Sequence, residues 1–379
     1  MNNVLATHRY FQHIAPPALH GGVDAAEMAQ LGIDPESVID FSANQSPLGP
    51  APAVAVAIAR AAIEHYPDRD ARPLCEAIAA HHHLRPEQVV VGNGSTELIR
   101  LIAQLALREG DRALALPQTF GEYAVATELA GGCYERVCLP DPTRIRVDAI
   151  SEKLAEHYYD LFWLCLPNNP TGAGLTPGEL SALVRENERT LFVLDEAYCD
   201  LLPTPQWTAD LLAAGNIIVL RSMTKAWGLA GLRLGYALGD VSLMTPLLAA
   251  KAPWNVNACA QEAGLAALAD SAHYARTLAL LREQKTMLVD GLQTRGWQVL
   301  PSAAAFFLVY IGDGAGIRRQ LLAQRCLVRD CASFGLPEHI RISPRLPEQN
   351  LRLMKAFERI DPTCNLPITQ VISCSSSKP

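Results

Sequence analysis

Between Val89 and Leu220 the chain repeats one pattern: a short, uninterrupted apolar run closed by a turn signal, then an amphipathic stretch. The runs Val89–Val91, Arg112–Leu116, Leu161–Leu166, Leu191–Leu194 and Ile217–Leu220 lack polar alternation, so they read as strands covered on both faces. Thr96–Arg108, Tyr123–Ala130 and Pro177–Arg185 space their apolar residues by three and four, which predicts helices. This alternation predicts βαβ units and an α/β fold with a mostly parallel central sheet. Upstream, Val23–Leu31, 49–65 and Ala71–His82 read as helices, and residues 1–19 as a loose arm. After Gly239 the pattern changes to a helical region over 258–295, strands at Phe306–Tyr310 and Ile340–Ser343, and a last helix over 347–360. The expected division is an arm with part of a small domain (1–48), a large domain (49–250), a smaller α+β domain (251–361) and a flexible tail (362–379).

Composition narrows the function. With 379 residues, 49% hydrophobic and 19% charged, the chain is long enough for more than one lobe and unlike a disordered protein. A net charge of −7 argues against a generally basic nucleic-acid binder. Apolar runs are broken by charge before membrane-spanning length, and Met1–His20 carries His, Arg and Gln where an export signal needs an apolar stretch. The ten cysteines form no Cys-x-x-Cys pair, and Cys165 and Cys199 lie in apolar runs; a reduced, cytoplasmic protein without a metal site is expected. The run His81-His82-His83 reads as a solvated helix end, because adjacent helical residues point apart and make a poor ligand set.

Four features stand at strand ends. Val89-Val-Val-Gly-Asn-Gly-Ser-Thr-Glu97 enters a glycine-rich turn and a helix start, where backbone amides favour a phosphate. Glu97 replaces the third glycine of a dinucleotide fingerprint, and a plain turn capped by Ser95 or Thr96 is the competing reading. Leu166-Pro-Asn-Asn-Pro-Thr-Gly172 reads by itself as a rigid loop. Leu191-Phe-Val-Leu-Asp-Glu-Ala-Tyr198 delivers Asp195 to a strand's C-terminal end, where open α/β sheets place ligands. The fourth, Arg221 to Tyr236, gathers Ser222, Lys225 and Arg233 among glycines.

Taken in order, these motifs resemble the class I/II aminotransferase family of fold-type I pyridoxal-phosphate enzymes, over about Asp40 to Asn350. The resemblance implies pyridoxal 5'-phosphate as cofactor, bound by the large domain, and a homodimer with shared active sites acting on a small amino-acid substrate. It implies that Lys225 carries the cofactor and shuttles a proton, that Asp195 pairs with the ring nitrogen, and that Asn169 and Tyr198 bond the ring 3-oxygen. Phe120 would stack on the ring. Gly94, Ser95, Thr96, Ser222 and Arg233 would hold the cofactor phosphate, and Tyr66 would reach the neighbouring subunit's phosphate. Catalysis is thereby assigned to Lys225, Asp195 and Tyr198. The presence of Lys225, Asp195 and Arg233 disfavours a non-enzymatic sensing module.

Within the family, His20-Gly-Gly22, Ile39-Asp-Phe-Ser-Ala-Asn44 and Pro47-Leu-Gly-Pro50 resemble the threonine-phosphate decarboxylases. The expected function is therefore a decarboxylase of that kind; the alternatives are an aminotransferase of the histidinol-phosphate type, or an elimination, cyclisation or transamination enzyme on a non-phosphorylated amino acid. Arg341 would bind the substrate carboxylate, with Asn44 beside it. His20, Arg329 and Arg345 would form a site for a substrate phosphate. Gln45-Ser46 and Ala305 depart from the decarboxylase pattern where the substrate would lie.

Overall fold

The five apolar runs become five strands of a single seven-stranded sheet. In the computed structural model, which describes residues 19–202 and 207–360, the short strand β1 (Ile39–Asp40) precedes this sheet. The sheet comprises β2 (Val89–Asn93), β3 (Arg112–Ala115), β4 (Cys133–Arg136), β5 (Leu161–Cys165), β6 (Leu191–Asp195), β7 (Ile217–Ser222) and β8 (Leu234–Gly239), in the order β2-β8-β7-β6-β5-β3-β4. β7, β6, β5, β3 and β4 run parallel, and β8 is antiparallel to both its neighbours. Two apolar layers cover the sheet. One holds Leu114, Phe162, Leu164, Phe192, Leu194 and Val219; the other holds Ala113, Trp163, Cys165, Val193 and Leu220. Alternate residues of one strand thus serve opposite faces, which is why the runs show no polar positions.

The second sheet is antiparallel and lies wholly after residue 297. It contains β9 (Gln298–Val299), β10 (Phe307–Tyr310), β12 (Arg329–Asp330) and β13 (His339–Ile342), ordered β12-β13-β10-β9. The early strand β1 pairs in parallel with β11 (Cys326–Leu327), and Phe41 enters the core of this second unit beside Val328 and Ile342. Conversely, Ala260, Ala263 and Ala267 pack in the first core although they lie past residue 250.

Boundaries differ from the sequence reading for identifiable reasons. The helix expected over 49–65 is confined to Pro52–Arg60, since Ala61 turns to extended backbone (φ −61°, ψ 131°) and bends and turns follow up to Pro67. The region 258–295 is two helices, Ala258–Ala269 and Ser271–Thr294. Asp270 separates them; its carboxylate accepts the His273 amide and so caps the second. The triple-histidine segment is only partly solvated. His82 bonds the Tyr236 hydroxyl at 2.8 Å and leans on Trp207, and burial pulls its pKa down to about 3. No helix among the described residues is long and apolar enough to cross a membrane, and no His/Cys/Asp/Glu cluster there fits a metal. Among the described residues Cys75, Cys133, Cys165, Cys199, Cys259, Cys326 and Cys331 are free thiols. Residues 1–18 of the expected arm, and the tail beyond 360, lie outside the described residues.

Candidate active site

A cavity of about 290 Å³ opens at the C-terminal ends of the parallel strands. Its floor is Asp195, the last residue of β6, which is 3% exposed. Burial raises the Asp195 pKa; a hydrogen bond from the Tyr123 hydroxyl (2.7 Å), another from the Ala197 amide (3.0 Å) and the charge of Lys225 pull it back. Lys225 lines the same cavity, with Nζ 5.4 Å from the centre of the Tyr198 ring. Phe120 forms part of the wall, packed edge-on against Tyr123.

At one end, three segments meet in a cradle. The antiparallel pairing of β2 with β8 sets Asn93 opposite Leu234, so the turn after β2 meets the turn before β8. Gly94 has φ +77°, and a Cβ there would lie 2.9 Å from the Arg233 guanidinium. A Cβ on Gly235 would come within 2.5 Å of the Ser95 amide. Both glycines are therefore required by close approach. Arg233 itself takes a left-handed conformation at φ 55°, a strained choice for a side-chain-bearing residue. The competing reading of the first motif fails: no side chain caps the helix Ser95–Ala106. Glu97 turns away and accepts the Asn93 amide and the Asn255 side chain. The helix's first amides, Ser95, Thr96, Ser222 and Arg233 thus face one end of the cavity, an arrangement suited to a dianion.

At the other end, Arg341 on β13 is 5% exposed. It donates to the Asn169 side-chain oxygen and to the Ser42 carbonyl, and lies over the Phe306 ring. Its Nε, and both polar atoms of the Asn44 amide, have no partner in the protein. The Asn pair of the second motif divides its work. Asn168 ties the loop to Thr119, Gln118 and Thr171, while Asn169 faces the cavity.

The segment His20-Gly21-Gly22 crosses the mouth. A Cβ on Gly21 would sit 2.7 Å from the Ser42 carbonyl, and Gly22 has φ +122°, which explains the two glycines; the Gly22 amide donates to Ser42 Oγ. His20 bonds Glu122 at 3.1 Å, and Arg329 donates to the backbone carbonyls of Leu19 and His20. Burial and the nearby positive charge of Arg341 both lower the Arg329 pKa, so two cations crowd one side of the cavity.

The structure brings thirteen of the sequence-derived candidates onto the cavity wall or floor: His20, Asn44, Ser95, Thr96, Phe120, Asn169, Asp195, Tyr198, Ser222, Lys225, Arg233, Arg329 and Arg341. Gly94 stands just behind them. Arg345 does not join them; it is partly buried, and the charge of Asp40 opposes the lowering of its pKa by burial. Tyr66 is also away from the cavity, 79% exposed and stacked on Trp254. The sequence reading missed Tyr123, Ala197 and Thr224. Each follows a named motif residue by two or three positions, and the Tyr123 ring packs edge-on against Phe120.

Comparison with known proteins agrees with this geometry. The family model for aminotransferase class I and II matches residues 36–357. A histidinol-phosphate aminotransferase from Symbiobacterium thermophilum is 39% identical over 87% of this chain and 91% of its own length. Among solved structures, the histidinol-phosphate aminotransferase of Sinorhizobium meliloti in complex with pyridoxal-5'-phosphate superposes with a TM-score of 0.81 at 25% identity, covering 90% of this chain and 95% of that one. The L-threonine-O-3-phosphate decarboxylase of Porphyromonas gingivalis gives 0.72 at 28% identity, covering 84% and 98%. Likeness this extensive, in sequence and in fold, settles the family: the chain belongs to the class I and II aminotransferases and is an enzyme of that type.

Proposed function

We propose that this protein is a pyridoxal-5'-phosphate enzyme acting on a phosphorylated amino compound, as an aminotransferase of the histidinol-phosphate type. The observation that carries the reading is the two-ended cavity around Lys225. A cradle of amides and Arg233 stands at one end, and Arg341, Arg329 and His20 stand at the other, so two separate anions can be held with a lysine between them. The curated relatives at 30–39% identity are histidinol-phosphate aminotransferases, which favours this reading over decarboxylation.

The residues fit the cofactor. The uncapped helix start and the Gly94–Arg233 contact make a phosphate cradle that a side chain at 94 would fill. Asp195 would offer its buried carboxylate to the ring nitrogen, Asn169 and Tyr198 on the cavity wall would bond a ring oxygen, and Phe120 would supply a stacking face. Bound there, the cofactor supplies an electron sink for the bond broken at the substrate carbon. Lys225 would hold the cofactor at rest, and its amine would move the proton at the substrate carbon. Arg341 binds a substrate carboxylate where one is present; His20 and Arg329 bind the substrate phosphate. Exposed Tyr66, beside exposed Ile63 and Trp254, is the segment that reaches a second subunit in a homodimer.

A second reading, threonine-phosphate decarboxylation, is favoured by His20 and Arg329 meeting at the mouth, as their motifs imply. One assay separates the two. Histidinol phosphate, threonine phosphate and free threonine are supplied with a keto-acid acceptor, and amino transfer and CO₂ release are measured together. Amino transfer from histidinol phosphate supports the first reading; CO₂ from threonine phosphate replaces it with the second. Loss of the visible cofactor absorbance in Lys225→Ala is expected, and its retention would remove Lys225 from the role.

A further inference from the structure

Behind the cavity floor, outside the roles assigned so far, lies a line of buried aromatic and polar groups ending on Asp195. Tyr123 is fully buried and donates to Asp195 Oδ2 at 2.7 Å. Its ring lies parallel to Trp163, with centroids 5.2 Å apart and planes within 4°. The Trp163 indole N–H is in turn fixed to Thr127 Oγ1 at 3.0 Å, and Thr127 is buried on the same helix as Tyr123. On its other side Tyr123 meets the edge of Phe120, at 5.5 Å and 83°. One phenol therefore touches both the wall aromatic and the floor carboxylate.

The bonding pattern of Asp195 gives this contact a purpose. Oδ1 is held by the Ala197 amide and Oδ2 by Tyr123. Each carboxylate oxygen has two lone pairs, so the two bonds fix the plane of the group and still leave an acceptor site for a ligand N–H. Burial works to protonate Asp195, and the tyrosine bond is the largest influence opposing it. The remaining titratable neighbours are Lys225, which also favours the charged carboxylate, and Glu196 and Cys165. Cys165 is buried, with its thiol directed to the Pro167 carbonyl. Burial and the Asp195 charge keep Tyr123 a neutral phenol, able to donate throughout the physiological range.

We propose that Tyr123 is a positioning residue for the cofactor ring: its hydroxyl holds Asp195 ionised and oriented so that the carboxylate keeps the ring nitrogen protonated. This rests on the cofactor reading above. Tyr123→Phe removes one oxygen and keeps the ring that packs on Trp163 and Phe120. A hydrogen bond to a charged group implies about a ten- to hundredfold loss in affinity for pyridoxal 5'-phosphate. It also implies that the pH at which the ring nitrogen loses its proton falls by about one unit or more. The nitrogen is followed directly by NMR with ¹⁵N-labelled cofactor, and affinity by quenching of tryptophan fluorescence. The thermal transition of the cofactor-free variant monitors the fold.

The decisive comparison is a double-mutant cycle with Asp195→Asn. If Tyr123 acts through Asp195, Tyr123→Phe is costly in the wild-type background and costs under about threefold when Asp195→Asn is already present. Equal losses in both backgrounds, or an unchanged ¹⁵N titration in Tyr123→Phe, overturn the proposal and leave Tyr123 as packing alone. Should Tyr123→Phe prove unstable, Thr127→Val, which unpins Trp163 without touching Asp195, must reproduce the ¹⁵N shift in weaker form; no shift overturns the proposal. Failure of the cofactor reading looks different: wild-type protein and Asp195→Asn then bind the cofactor equally weakly.

Discussion

Arg221→Met should be among the most destabilising single substitutions in this protein, and its cost can be worked from the groups it abandons. Arg221 sits on β7 just before Ser222, with a side chain 14% exposed. Its Nη1 donates at 2.9 Å to Glu196 Oε2, on a side chain with no exposure, and Glu196 also accepts the Trp207 indole at 3.1 Å. Asp200, held by the Tyr274 hydroxyl at 2.6 Å, lies in the same charge field. Methionine fills the volume but removes the Arg221 cation from the buried Glu196 carboxylate and from the field of partly buried Asp200. Removing one member of such a pair costs about 3–5 kcal/mol. With a urea m-value of ~3 kcal/mol/M, the midpoint of unfolding falls by about 1 M or more. Two companion variants test the cause. Adding Glu196→Gln and Asp200→Asn removes the charges that Arg221 balanced and should recover most of the loss. Acid should do the same in part. Burial already raises Asp200 above the ordinary carboxyl range, with Arg221 the first influence against it. Without Arg221 the native state binds that proton still more tightly than the unfolded chain. Stability of the variant therefore falls as pH rises from about 4, and the deficit is larger at pH 8 than at pH 5. A loss below about 1 kcal/mol, or no recovery when the carboxylates are neutralised, would refute this account.

Two further outcomes are expected. Gly94→Ala places a methyl 2.9 Å from the Arg233 guanidinium at φ +77°, which costs about 1–2 kcal/mol and displaces the arginine; affinity for pyridoxal 5'-phosphate, measured by fluorescence titration, should drop about tenfold or more, and unchanged affinity would show that the cradle does not hold the phosphate. His82, buried against Tyr236 and Trp207 with its pKa lowered from 6.5 to about 3, binds fewer protons in the native state than in the unfolded chain. Its contribution is full above pH 6.5 and is lost as pH falls toward 3, so His82→Gln should flatten the stability profile across that window in urea titrations.

The sheet was legible wherever strands are buried on both faces. β2, β3, β5, β6 and β7 stand out as apolar runs because neither face meets water. β4 was not legible: as an edge strand, Cys133–Arg136 is exposed at both ends and carries Glu135 and Arg136. β8 was masked by its glycines, Gly235 and Gly239, which are read as loop signals but serve close approach to Ser95 and Met244. In the cavity, residues embedded in dense motifs were found because the motif fixes their backbone. Arg345 was placed from the same kind of likeness, yet it lies by Asp40 and not on the cavity wall; Tyr66, expected to act on a neighbouring subunit, is exposed. Tyr123, three positions after Phe120, was passed over because its importance lies in a hydrogen bond from its helix to Asp195, far along the chain.

The position of β8 has a consequence for how the molecule comes to exist. The last strand of the large sheet in chain order is inserted between the first and the one just before it, and the edge strand β2 has no other partner in the sheet. Until β8 docks, β2 has no strand partner, and Arg233, which leads into β8, is not yet beside Gly94. The cradle is therefore complete only once the sheet is closed. A ligand held by the cradle binds the finished fold and no earlier intermediate, so cofactor supply sets how often completed chains stay closed. Chains interrupted before residue 239 should be recognisable to proteases by a free β2 edge.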